Sequence, residues 1–168
     1  MCLHDSPPST GNSSDLVRER AAAVATDAEV AEFLRYGWLS AAGIDTDAFR
    51  LRYVLEESAL YPGAGQAVMA AQATNPETAA QAWAAVSEYT VYPRTSWADR
   101  EQYARDQAAA WQQTAEAAGA AQSPLQAGFA TKALTVRRQW LTEVTNATER
   151  SAWWTAVNQL ALDAGAGR

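Results

Sequence analysis

Five separate stretches of this chain carry a helix start signal, each followed by helical rather than strand periodicity. Thr26 with Glu29 matches a capping box, and Asp45 or Thr46 offers a cap oxygen ahead of the run from Asp47 to Leu60. Asn75-Pro76-Glu77 joins a capping Asn, a proline where no N–H is needed and an acid at the positive helix end. Ser96 with Asp99, and Ser123-Pro124-Leu125-Gln126, repeat the theme. A weaker signal at Asn146 with Glu149 starts the last helical pattern.

The stops are as legible as the starts. Gly43, Tyr61-Pro62-Gly63, Pro93 and Gly119 each interrupt a helical pattern. The expected helices therefore cover about 15–25, 26–42, 47–60, 64–74, 75–90, 96–118 and 123–145, with a last one from 146 that carries Trp153, Trp154, Val157 and Leu160. No stretch alternates apolar and polar residues for long enough to demand a strand. The expected fold is all-α, a single-domain bundle or orthogonal array of six to eight helices over residues 15–164. Residues 1–14 read as a flexible tail and 165–168 as a frayed end.

Composition decides what fills such a fold. Much of the 48% apolar share is alanine, so bulk must come from seven Trp, six Tyr and three Phe. The formal charge of −6, with Lys132 the only lysine, argues against nucleic acid. No run of about 20 apolar residues suggests a membrane span. The N-terminus lacks the basic start and apolar centre of a secretion signal, and the single Cys2 fits a reducing compartment, so the expectation is a cytoplasmic protein.

Several chemistries lack their residues. The one histidine, His4, falls in the expected tail, and Cys2 beside it has neither a fixed base nor a pocket there. Glu29-x-x-Glu32 resembles the start of the helical nucleotide pyrophosphohydrolase motif, but the downstream Glu-x-x-Asp is missing. Neither metal nor other cofactor is expected.

Two constellations remain. On the helix over 47–60, Phe49, Tyr53, Glu56 and Leu60 share a face, while Leu51, Val54 and Leu55 cover much of the other side. This reading buries the helix on both sides, with Glu56 among apolar groups and Glu57 turned with Arg50 to solvent. Glu56 would then act as a general acid or base with Tyr53 as hydrogen-bond partner; the plainer alternative pairs it with Arg52. The second constellation is Tyr89, Tyr92, Arg94 and Trp97 near Pro93, continued by Tyr103 and Trp111 along the next helix. Aromatic side chains with an arginine at a helix junction suit a small-molecule site, and equally suit a plug for the end of the bundle.

Three functions follow. The first is binding of an apolar or aromatic small molecule between helices, with Trp97 and Trp111 as the rings that sense it. The second is a cofactor-independent cyclase, isomerase or lyase using Glu56 and Tyr53 in the same pocket. The third is an acidic interaction or inhibitor module, for which a protein partner or a homodimer would be the target. Aromatic enrichment supports the first two equally and the acidic charge supports the third; the first is preferred, with enzymatic use of the same pocket second.

Overall fold

The computed structural model describes residues 13–71 and 75–166, and every regular element among them is α-helical. Cys2 and His4 lie outside the described residues, as do 72–74 at the end of the expected fourth helix. The elements are α1 (Ser13–Ala22), α2 (Asp27–Arg35), α3 (Trp38–Ser58), α4 (Tyr61–Ala71), α5 (Pro76–Tyr89), α6 (Val91–Ala120) and α7 (Pro124–Ala166). No helix among the described residues is long and apolar enough to cross a membrane.

Two start signals work as expected. The Thr26 hydroxyl accepts from the Glu29 N–H, and the Glu29 carboxylate accepts from the Thr26 N–H at 2.8 Å. Asn75 Oδ1 accepts from the N–H groups of Glu77 and Thr78. The Ser123 box is only half formed: Ser123 Oγ accepts from the Gln126 N–H, but the Gln126 side chain turns away to donate to the Ala25 carbonyl.

Other expected boundaries move. The break expected at Gly43 falls at Gly37, whose φ of +68° is the left-handed conformation that glycine adopts without strain. Gly43, Asp45 and Thr46 therefore lie inside α3, where the Thr46 hydroxyl bonds back to the Gly43 carbonyl at 2.7 Å. Pro93 sits in the first turn of α6, where its missing N–H costs no helical bond, so that helix starts at Val91 instead of Ser96. Asn146 starts nothing: its side chain donates to Glu143, and Thr145 and Thr148 bond back to the carbonyls of Leu141 and Val144. The helix runs unbroken through them, and past the expected frayed end as far as Ala166.

α6 and α7 form an antiparallel pair. Gly119 approaches Ala130 near the connection, while Trp97 packs with Ala147 and Trp154 far from it. α3 lies over the groove between them: Phe49 stacks on Tyr103 of α6 at 5.5 Å and meets Trp140 of α7 edge-on at 5.2 Å. α2 closes the end near the α6–α7 connection, where Phe33 meets Phe129, and α1 reaches the middle of α6, where Gln107 donates to Asp15 at 2.7 Å. α5 lies along the last part of α7, and Asn158 accepts there from the hydroxyls of Ser87 and Thr90. Alanines at the helix contacts (Ala104, Ala108, Ala115, Ala133, Ala147) let the backbones approach, and Trp111 and Trp140 fill the space between.

Candidate functional site

The buried face of α3 holds Phe49 and Tyr53 as the sequence reading has it and departs from that reading by one residue after Tyr53. Ala42, Asp45, Thr46, Phe49 and Glu57 are buried and Tyr53 is half-buried, a line at three- and four-residue spacing. Continuing that line by four residues from Tyr53 reaches Glu57, whereas continuing it by three would have reached Glu56. Glu57 is 2% exposed and Glu56 42% exposed, the reverse of the expectation. Leu51, Val54 and Leu55 are also exposed, so α3 is buried on one side only.

Glu56 and Tyr53 nevertheless share one cluster. The Glu56 carboxylate accepts from the Arg100 guanidinium at 2.8 Å, and that guanidinium lies 3.5 Å from the Tyr53 ring centre and 4.4 Å from that of Trp97. Arg100 is buried. Its spacing from Trp97 and Ala104, three and four residues, already put it on the buried stripe. Burial pushes the Arg100 guanidinium below its ordinary value, against the opposing pull of Tyr53, Glu56 and Tyr92. Arg100 Nε and Trp97 Nε1 meet no acceptor among the described residues. The Glu56 carboxylate is turned to solvent and engaged by the guanidinium, and it lines neither of the two clefts described below.

Of the two neighbouring carboxylates, Glu57 is the buried one. Its Oε1 accepts from Trp154 Nε1 at 2.6 Å and from the Tyr61 hydroxyl at 3.3 Å, while Oε2 faces Arg150 Nε at 3.4 Å. The Tyr61 ring stacks on Trp154. Three helices thus meet on one carboxylate, which suits a structural tie between α3, α4 and α7.

The expected ligand residues do not converge. Trp111 and Trp97 are buried in packed core, and Tyr103 stacks on Phe49. Tyr89 lies against α4, where a Cβ on Gly63 would come within 3.3 Å of its ring. Tyr92 is exposed, and Arg94 Nε turns back to the Thr90 carbonyl.

A concave surface lies at the opposite end of α3. A cleft of about 430 Å³ is lined by Arg20, Ala23 and Val24 from the α1 end, Glu29, Glu32, Phe33 and Tyr36 from α2 and its end, and Trp38. Gly37 creates it, because the left-handed turn swings Trp38 back beside Phe33, ring centres 6.3 Å apart and nearly parallel. Arg20 stands 5.6 Å from the Trp38 ring centre. Glu29 is committed to the cap, where the Ala25 N–H, then the Thr26 hydroxyl and N–H, hold its carboxyl below the usual range. A second cleft of about 390 Å³, between α3 and α7, is lined by Leu39, Ser40, Gly43, Lys132, Thr135, Val136 and Gln139, with no aromatic wall. Among the described residues, no group of three or more His, Cys, Asp or Glu converges as metal ligands would.

Compared with known proteins, the chain matches no family model, no curated protein and no solved structure.

Proposed function

We propose that this chain is a single helical-bundle domain that binds a small apolar or aromatic molecule, without metal or nucleotide, in the cleft between α1, α2 and the start of α3. The observation that carries this reading is the aromatic wall of Phe33, Tyr36 and Trp38 on a concavity of about 430 Å³, a size that suits a small ligand. A flat ring enters beside Trp38 and Val24, and its polar substituent meets Arg20 or Glu32 at the rim. Trp38, rather than Trp97 or Trp111, is the ring that senses it, because the latter two have no free face. A single cysteine suits a reducing compartment, and we place the protein in the cytoplasm.

Titration with 1-naphthol tests the reading. Tryptophan emission should fall saturably in the parent protein, and the response should be lost in Trp38→Leu and weakened in Ala23→Phe, which narrows the mouth. Leu51→Glu, on the far side of α3, should leave the titration unchanged. A non-saturating response, or one that survives in both cleft variants, would end the proposal.

A further inference from the structure

The outward face of α3 is apolar. Ile44, Ala48, Leu51 and Leu55 follow at spacings of four, three and four, and Val54 stands beside them. Ile44 is 67% exposed, Leu51 59%, Leu55 59% and Val54 44%. At 100° per residue this line points directly away from the buried line through Thr46, Phe49 and Tyr53. An amphipathic helix on a core should carry polar side chains there. Four large aliphatic side chains within about three turns are instead what a helix presents to a partner, and the 4-3-4 spacing is that of knobs-into-holes packing.

The flanking charges say which partner. Asp47 borders the apolar line on one side and Arg52 on the other, five residues later. Among the described residues neither forms an ion pair; Arg52 lies 5.9 Å from the Tyr53 ring centre, and Asp47 has a charge interaction, short of an ion pair, with Arg50 one turn along the helix. When two identical helices pack in parallel about a two-fold axis, a residue on one flank meets the partner's residue five positions further on, across the seam. Asp47 of each copy then faces Arg52 of the other, so one pair of residues makes two contacts. An antiparallel arrangement puts Asp47 against the Val54 flank and leaves both charges unmatched.

We propose that the chain self-associates through α3 as a parallel, two-fold dimer, with Ile44, Ala48, Leu51 and Leu55 as its seam and Asp47–Arg52 as its reciprocal ion pairs. The association is independent of the α1–α2 cleft, which faces elsewhere on the molecule. A seam this short belongs with small, reversible interfaces, so dissociation falls in the micromolar range.

Sedimentation of the full chain from about 5 to about 500 μM tests it, a span chosen around that range. Mass should rise from monomer to dimer, and Leu51→Glu should stay monomeric while keeping its helical circular dichroism, since the Leu51 side chain is largely exposed. Asp47→Arg alone and Arg52→Asp alone should each weaken association about tenfold, and the double exchange should restore it. In a Cys2→Ser background, Ser58→Cys, which continues the seam, should oxidise to a covalent dimer because parallel packing sets the same residue opposite itself. A monomer throughout the range overturns the proposal. So does a dimer indifferent to Leu51→Glu, and a charge exchange that fails to restore association overturns the parallel arrangement.

Discussion

Glu56 and Glu57 are neighbours with opposite fates, and the difference is one of helical phase. The buried line of α3 can be continued from Tyr53 by three residues or by four, and both steps fit a 3.6-residue turn. Nothing within the helix chooses; Trp154 and Arg150 on α7, nearly a hundred residues away in sequence, do. The two carboxylates should therefore respond differently to removal. Glu57→Ala leaves the buried Trp154 N–H without its acceptor and opens a void, for a loss of about 2–4 kcal/mol in urea unfolding. Glu57→Gln should lose less, because an amide oxygen can still accept from Trp154. Glu56→Ala strips the partner from Arg100, but its side of the pair is open to water and two rings still flank the guanidinium, so about 1 kcal/mol is expected. If Glu56→Ala proved the more damaging, the placement of these two residues would be wrong.

At the scale of helices, capping chemistry was legible wherever it acts within one turn. Thr26–Glu29 and Asn75–Pro76 cap as their residues imply, because a cap needs only the chain that carries it. Asp45, Ser96 and Asn146 carry the same residue types and cap nothing, since partners elsewhere keep the backbone helical through them. The cleft was out of reach for a related reason: it depends on the positive φ of Gly37, a property of the folded backbone. The Thr26–Glu29 cap also gives α2 a pH dependence. The folded Glu29 carboxyl titrates below its ordinary value of 4.5, held there first by the Ala25 N–H. Its contribution is therefore complete above that pH and is lost as pH falls through the folded value. Glu29→Gln should lower the melting temperature at neutral pH, and the two proteins should converge once the pH has fallen through the folded value. A constant gap across the whole range would show that the charge contributes nothing.

Taken whole, the molecule is all-α, as the absence of strand patterning required, and its largest rings sit between alanine-rich helices. What the sequence could not supply was which apolar faces would be covered: α3 reads as buried on both sides, yet within one copy of the chain it is covered on one. Coverage is also uneven along the chain. α1, α2, α3, α6 and α7 contribute side chains to the main hydrophobic cluster, whereas α4 has no fully buried residue from Tyr61 to Ala70 and carries Gly63 and Gly65. A helix that buries so little opens at small cost in free energy, because unfolding it exposes little new apolar surface. In native-state hydrogen exchange, amides from Gly65 to Ala70 should exchange orders of magnitude faster than those around Trp140, and independently of denaturant at low concentration. Equal protection in both regions would show one cooperative unit. Tyr61, at the first position of α4, remains stacked on Trp154 and bonded to Glu57. Opening of α4 would therefore begin at its far end and stop at that tie. The molecule would breathe through a single short helix while α3, α6 and α7 stay closed around Phe49 and Trp140.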